Sequence, residues 1–203
     1  EEALLELNIL SKEMPDENSW YNLDQATFSW NIPQGVTGAQ LLHGSFPNSI
    51  PQVIYSPAIS KKRLTNITEG TWYLHVRFSN EQGWGETTHR KIKIDTTNPY
   101  EIEALQEVQN DGLITLKLSA KDKLSGIKSY KIEIEGQEPI LVTNLEKDFS
   151  ASTVLPTLKA GTNPIKVTAY DFAGNTIEKT IEVQIKEQEV KAPVITIDRI
   201  NIN

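Results

Sequence analysis

The sequence predicts an all-β chain built as two consecutive antiparallel β-sandwiches of about seven strands each. Three observations carry this. Apolar residues recur with a period of two rather than 3.6 through most of the 203 residues. The alternating runs are short and are separated by Gly, Pro, Asn and Asp, the residues that turns require. A pattern in the first half of the chain also returns 91 residues later.

The repeat is the most specific of the three. Leu64, Gly70, Thr71, Val76, Gly83 and Ile94 fall without a gap on Leu155, Gly161, Thr162, Val167, Gly174 and Ile185. Ile67, Leu74 and Ile92 fall on Leu158, Ile165 and Val183, and Gly35 falls on Gly126. Self-similarity at a fixed offset marks a duplicated module. The first module covers residues 1–97 and the second 98–187, while 188–203 read as a linker and the start of a third. "IDTTNPY" (94–100) divides the first two, because Pro99 cannot donate to a strand ladder. "KEQEVKAPVITI" (186–197) has the same form. The sequence opens on Glu1 without a signal-peptide pattern, and reads as a segment of a longer chain.

Along the chain, "TWYLHVRF" turns Trp72, Leu74, Val76 and Phe78 to one face and Tyr73, His75 and Arg77 to the other. Trp30 joins the inward set, and Trp20 packs at the edge. "YEIEALQEV" (100–108) opens the second module as its first strand. "LITLKLSA" directs Leu116, Leu118 and Ala120 inward. "IKSYKIEIEG" alternates Tyr130, Ile132 and Ile134 with Lys131, Glu133 and Glu135. One apolar and one polar face per strand is what sheets packed face to face demand.

Composition narrows the function classes. A net charge of −7 with no stripe of Lys and Arg argues against nucleic acid. No apolar run reaches the roughly 18 residues of a membrane span. With zero cysteines there are no disulfides, thiol chemistry or thiolate metal ligands. The sequence contains no Gly-x-Ser-x-Gly elbow, and an enzyme is not expected.

"SAKDKLSGIKSYKIEIEG", "LPTLKAGTNPIKVTAYDFAGN" and "IEVQI" resemble the bacterial immunoglobulin-like domains of exported and cell-surface proteins. "SWYNLDQATFSWNIPQGVTGAQ", "LTNITEGTWYLHVRFSNEQGWGE" and "IKIDTTNP" resemble fibronectin type III-like modules found beside such domains. The resemblance implies Ig-like or fibronectin III-like sandwiches in an extracellular, bacterial surface protein. It implies a structural, stalk or adhesive role, with neighbouring domains of the same chain as partners.

In such a sandwich the B–C and F–G loops share a pole. Asp122, closing strand B, and Asp171, closing strand F, would meet there. They either hold calcium through oxygen ligands or cap their turns. Their partners at the 91-residue offset are Asn31 and Asn80, which keep the acceptor and lose the charge, and this favours capping. No cofactor is expected, calcium being the one candidate. His43, His75 and His89 would sit on strands C, F and G, as a three-imidazole zinc site or, more simply, as separate surface histidines. Trp84 lies in the glycine-flanked turn "NEQGWGE" and, with the outward Tyr73 and His75, is the candidate for binding a surface glycan or a protein ligand.

Overall fold

The computed structural model describes residues 7–110 and 112–186, so the proposed third module at 188–203 lies outside the described residues. The first sandwich is built from β1 (Leu10–Ser11), β2 (Trp20–Tyr21), β3 (Ala26–Ser29), β4 (Gly38–Gly44), β5 (Val53–Tyr55), β6 (Lys61–Leu64), β7 (Gly70–Asn80), β8 (Gly83–Trp84) and β9 (Thr88–Ile94). One sheet has the order β1-β3-β6. The other runs β2-β9-β7-β4-β5, with β8 paired to the end of β7. The second sandwich comprises β10 (Tyr100–Val108), β11 (Ile114–Lys121), β12 (Ile127–Ile134), β13 (Ile140–Val142), β14 (Ala151–Val154), β15 (Gly161–Asp171) and β16 (Thr176–Ile185). Its sheets are β10-β11-β14 and β13-β12-β15-β16.

The two copies share one plan, in which a three-stranded sheet faces a longer one. The second has the expected seven strands and the first has nine. The extra pieces have local causes. Around Pro15 the first strand breaks into β1 and β2, which join opposite sheets. The turn between them is held by Asp16, whose carboxylate accepts from Asn18 N at 2.9 Å and Ser19 Oγ at 2.7 Å. β2 then pairs in parallel with β9, and the Lys93 ammonium lies 4.6 Å from the Trp20 ring centroid at that edge.

Each sandwich closes around its own core. In the first, Phe28, Trp30, Leu41, Leu74, Val76, Ile92 and Ile94 are buried, with Trp72 and Phe78 packed partly against them. In the second, Leu116, Leu118, Ala120, Tyr130, Ile132, Ile134, Ile165 and Val167 are buried. These include the inward sets that the alternation selects. The polar atoms of the large aromatics are satisfied: Trp30 Nε1 donates to Ile59 O at 2.7 Å, and the Tyr130 hydroxyl to Phe149 O at 2.7 Å. Burial pushes the Tyr130 hydroxyl pKa up to about 12, so it stays a neutral donor.

Candidate functional site

The pole of the second module nearest the first is formed by the β11–β12 and β15–β16 loops. Asp122 follows β11, and its Oδ2 accepts from Leu124 N at 3.0 Å and Gly126 N at 2.8 Å. Asp171 ends β15, and its Oδ1 accepts from Asn175 N at 2.8 Å. Each carboxylate therefore caps its own turn, satisfying backbone donors that the strands have released. The loops are tied together by Phe172 N, which donates to Gly126 O at 3.1 Å. Gly126 takes φ +82°, which a side chain rarely adopts, and a Cβ there would lie 3.0 Å from the Phe149 ring.

A third carboxylate enters this pole from the other module. Asp95 follows β9 directly, is fully buried, and reaches into both loops. Its Oδ2 accepts from Ser125 N at 3.0 Å, and its backbone carbonyl accepts from Asn175 Nδ2 at 2.9 Å. The same Asn175 amide donates to Asp171 Oδ2 at 2.7 Å. Ligand oxygens of Asp95, Asp122 and Asp171 all lie within 4.8 Å of one another. Asp171 is 1% exposed and Asp122 half-buried. At an effective dielectric of about 20, two unit charges that close repel by roughly 3 kcal/mol. Burial, and then the neighbouring Asp95, push the Asp171 carboxyl above the usual range, while hydrogen bonds from Asn175 oppose the shift. Asp122 Oδ1 and Ser125 Oγ are buried without a hydrogen-bond partner.

The segment leading into this pole is fixed to the first module. Asp95 N donates to Tyr21 O at 3.0 Å. The Glu69 carboxylate accepts from Thr96 N, Thr96 Oγ1 and Thr97 Oγ1 at 3.0, 2.8 and 2.6 Å. These bonds hold the Glu69 pKa below its ordinary value, Thr97 contributing most. Asp95, Asn175 and Glu69 were not legible as site residues. "IDTTNPY" signals a boundary, and alternation within one module cannot show that a residue of the next strand end will be swallowed by its neighbour.

The candidate residues of the first module sit elsewhere, on the outer face of the β2-β9-β7-β4-β5 sheet. Trp84 is 40% exposed. The Arg77 guanidinium lies 5.2 Å from its ring centroid and is itself held by Gln40 Oε1 at 2.7 Å. A Cβ on Gly38 would come 3.7 Å from the Trp84 ring, so the indole lies close over that glycine. Tyr73 stacks on His75 at 6.2 Å between ring centroids.

The histidines depart from the expectation of separate surface groups. His75 is 0% exposed, and its Nδ1 lies 2.6 Å from His89 Nδ1, one ring donating and the other accepting. Alternation gave its direction correctly but not its cover: the Tyr73 and His89 rings lie against it, and the backbone of Phe46, after β4, reaches it. His43 instead lies by Trp72, at 5.2 Å. It pairs with Leu74, so it belongs to the inward face, opposite to His75. The three imidazoles do not converge. Two nitrogens at 2.6 Å are also closer than the roughly 3.3 Å between ligands held about 2.0–2.1 Å from a tetrahedral ion.

No protein-family model matches the chain, and no curated protein matches it. Solved structures do. The fibronectin(III)-like modules of CbhA from Clostridium thermocellum superpose with a TM-score of 0.51 at 11% identity, covering 93% of this chain and 100% of theirs. The FN1–FN3 domains of chicken CNTN1 match with a TM-score of 0.40 at 15% identity, over 84% of this chain and 66% of theirs. A two-domain fibronectin type III segment of chicken tenascin gives 0.37 at 13%, over 88% of this chain and 97% of it. At these identities the likeness is one of fold, and the fold is that of tandem fibronectin type III-like β-sandwiches.

Proposed function

We propose that this chain is a non-catalytic spacer segment of an extracellular, bacterial surface or secreted protein, whose two sandwiches hold neighbouring domains of the same parent chain at a set separation. The observation that supports this most directly is Asp95. It leaves the last strand of the first module and is buried, hydrogen-bonded, in the loops of the second. With Glu69 gripping Thr96 and Thr97, the connection is a structured joint rather than a free linker. A spacer needs that property, since independent modules on a flexible link would transmit neither distance nor direction. The test is ¹⁵N relaxation of the two-module chain. The reading requires a common rotational correlation time for both modules, and independent tumbling would overturn it.

A second reading is a binding role on the first module's outer face, supported by the open 40% of Trp84. The ligand is a surface glycan or a protein, with the half-buried Tyr73 on the same face, while His75, fully covered, is not available to it. Here the Arg77 contact occupies part of the indole, so the free area is smaller than the loop sequence implies. A glycan array probed with wild type and Trp84→Ala decides it: binding lost in the variant supports the role, and a silent array removes the glycan branch.

A further inference from the structure

We propose that Asp95, Asp122 and Asp171 form a calcium site that bridges the two modules and locks the joint between them. The inference deepens the spacer reading and rests on it for its purpose, though not for its chemistry. The first observation is the convergence of three carboxylates from two modules, with ligand oxygens all within 4.8 Å of one another. An ion whose oxygens lie at about 2.3–2.6 Å spans that distance. The donors are oxygen only, which selects a hard cation over zinc or copper. Calcium accepts irregular cages of carboxylates, whereas magnesium keeps much of its water.

A second observation is independent of the clustering. Asp122 Oδ1 is buried and has no hydrogen-bond partner, although the other oxygen of the same carboxylate has two. Ser125, whose backbone N–H holds Asp95, carries a hydroxyl that is likewise buried and unpartnered. Buried acceptors are normally satisfied, and for a carboxylate oxygen with no protein donor beside it a bound cation supplies that partner. Protein cations do not supply it. Among the described residues, the ion pairs are Lys117–Glu107, Lys121–Glu101, Lys131–Glu133, Lys166–Glu133 and Lys166–Glu178, and none touches the three aspartates. The oxygens already used as turn caps stay available, because each keeps a second lone-pair direction.

The arrangement also assigns a consequence. Asp95 belongs to the first module and Asp122 and Asp171 to the second, so an ion held by all three is a tie between modules. Without it, three like charges face one another across the joint. Calcium therefore stiffens the segment, and its removal loosens it.

The experiment is calorimetric titration of the chelator-treated two-module chain with calcium chloride to about 10 mM, which covers the weak range of extracellular calcium modules. One binding event per chain is expected, with a rise in the melting temperature of the second module. Asp95→Asn keeps an acceptor for its backbone donors and should weaken calcium at least tenfold while far-UV circular dichroism stays native. If that variant fails to fold, Asp122→Asn, which alters the unpartnered oxygen, should give the same loss. Absence of calcium binding, or binding unchanged in a folded variant, overturns the site. Relaxation measurements on the same samples separate the two readings. Independent tumbling with calcium bound refutes the spacer and leaves the site, whereas a stiff joint without calcium binding refutes the site and leaves the spacer.

Discussion

Asn175→Ala tests the joint through the side chain that joins both modules. Its Nδ2 donates to the Asp95 carbonyl at 2.9 Å and to Asp171 Oδ2 at 2.7 Å, and the residue is only 8% exposed. Truncation removes one neutral and one charge-assisted bond and leaves both acceptors in a region poorly reached by water. A neutral bond contributes about 0.5–1.5 kcal/mol and one to a charged group about 1.5–3 kcal/mol, so the second module should lose about 2–4 kcal/mol. For a module of this size that is a fall in melting temperature of more than about 8 °C. The tryptophans make the assay clean. All four, Trp20, Trp30, Trp72 and Trp84, lie in the first module, so their fluorescence reports its unfolding while circular dichroism reports both. In chelator-treated protein, Asn175→Ala should shift the circular-dichroism transition of the second module and leave the fluorescence midpoint nearly in place. A loss below about 0.5 kcal/mol would mean the two acceptors find other donors, and the joint as described would be wrong.

Other expectations follow from the same geometry. Gly126→Ala should destabilise the second module more than Gly174→Ala. Both glycines have positive φ, costing a side chain about 1–2 kcal/mol, but only Gly126 also meets the Phe149 ring at 3.0 Å, so the reverse order in urea midpoints would refute the crowding. Phe28→Ala, at a fully buried site, should cost the first module about 3–5 kcal/mol and move the second transition far less, since the two cores are separate and the second module loses only its joint contacts to Asp95. His75 gives a pH dependence. Burial, and then His89, hold its pKa below the ordinary 6.5. The unfolded chain thus binds a proton that the folded module resists, and the first module should weaken as pH falls below about 6.5, with full stability above it. His75→Gln should flatten that slope in fluorescence-detected urea melts, leaving a remainder from His43, whose pKa burial also lowers.

Residues whose position follows from a local rule were legible in advance. Leu116, Leu118 and Ala120, or Tyr130, Ile132 and Ile134, face the core because alternation and burial leave a strand no other choice. The meeting of Asp122 with Asp171 was legible too, once the two loops were assigned to one pole. Cover was harder. His75 points outward as parity dictates, yet it is fully buried, because what lies over an outer face depends on Tyr73, on His89 from the next strand and on the Phe46 backbone of the loop after β4. Glu69 is an exposed acid that nothing marks until the linker threonines are found against it.

The repeat explains why the joint in particular escaped. Positions that match across 91 residues, such as Leu64 with Leu155 and Val76 with Val167, are core positions held by the same burial in each copy. The polar side chains of the joint lack their match. At the 91-residue offset Asp171 falls on Asn80, Asn175 on Trp84 and Asp95 on Lys186. Asp122 falls on Asn31 in sequence only, because Ala26 pairs with Leu64 but Thr115 with Val154, and the strand is shifted between the copies. Comparing copies asks what one module needs in order to fold, and on that question Asn and Asp are equivalent turn caps. The carboxylate charge becomes useful only where a third acid arrives from the preceding module, and Asp95 does so at the one joint within the described residues. The amides at 31 and 80 therefore do not count against a cation in the second copy. Position 175 makes the same point from the other side. One hairpin position carries an indole stacked with Arg77 on an open face in the first module, and an amide locking two modules in the second. The duplicated frame fixes where these side chains stand, and the neighbour each one meets determines what it does.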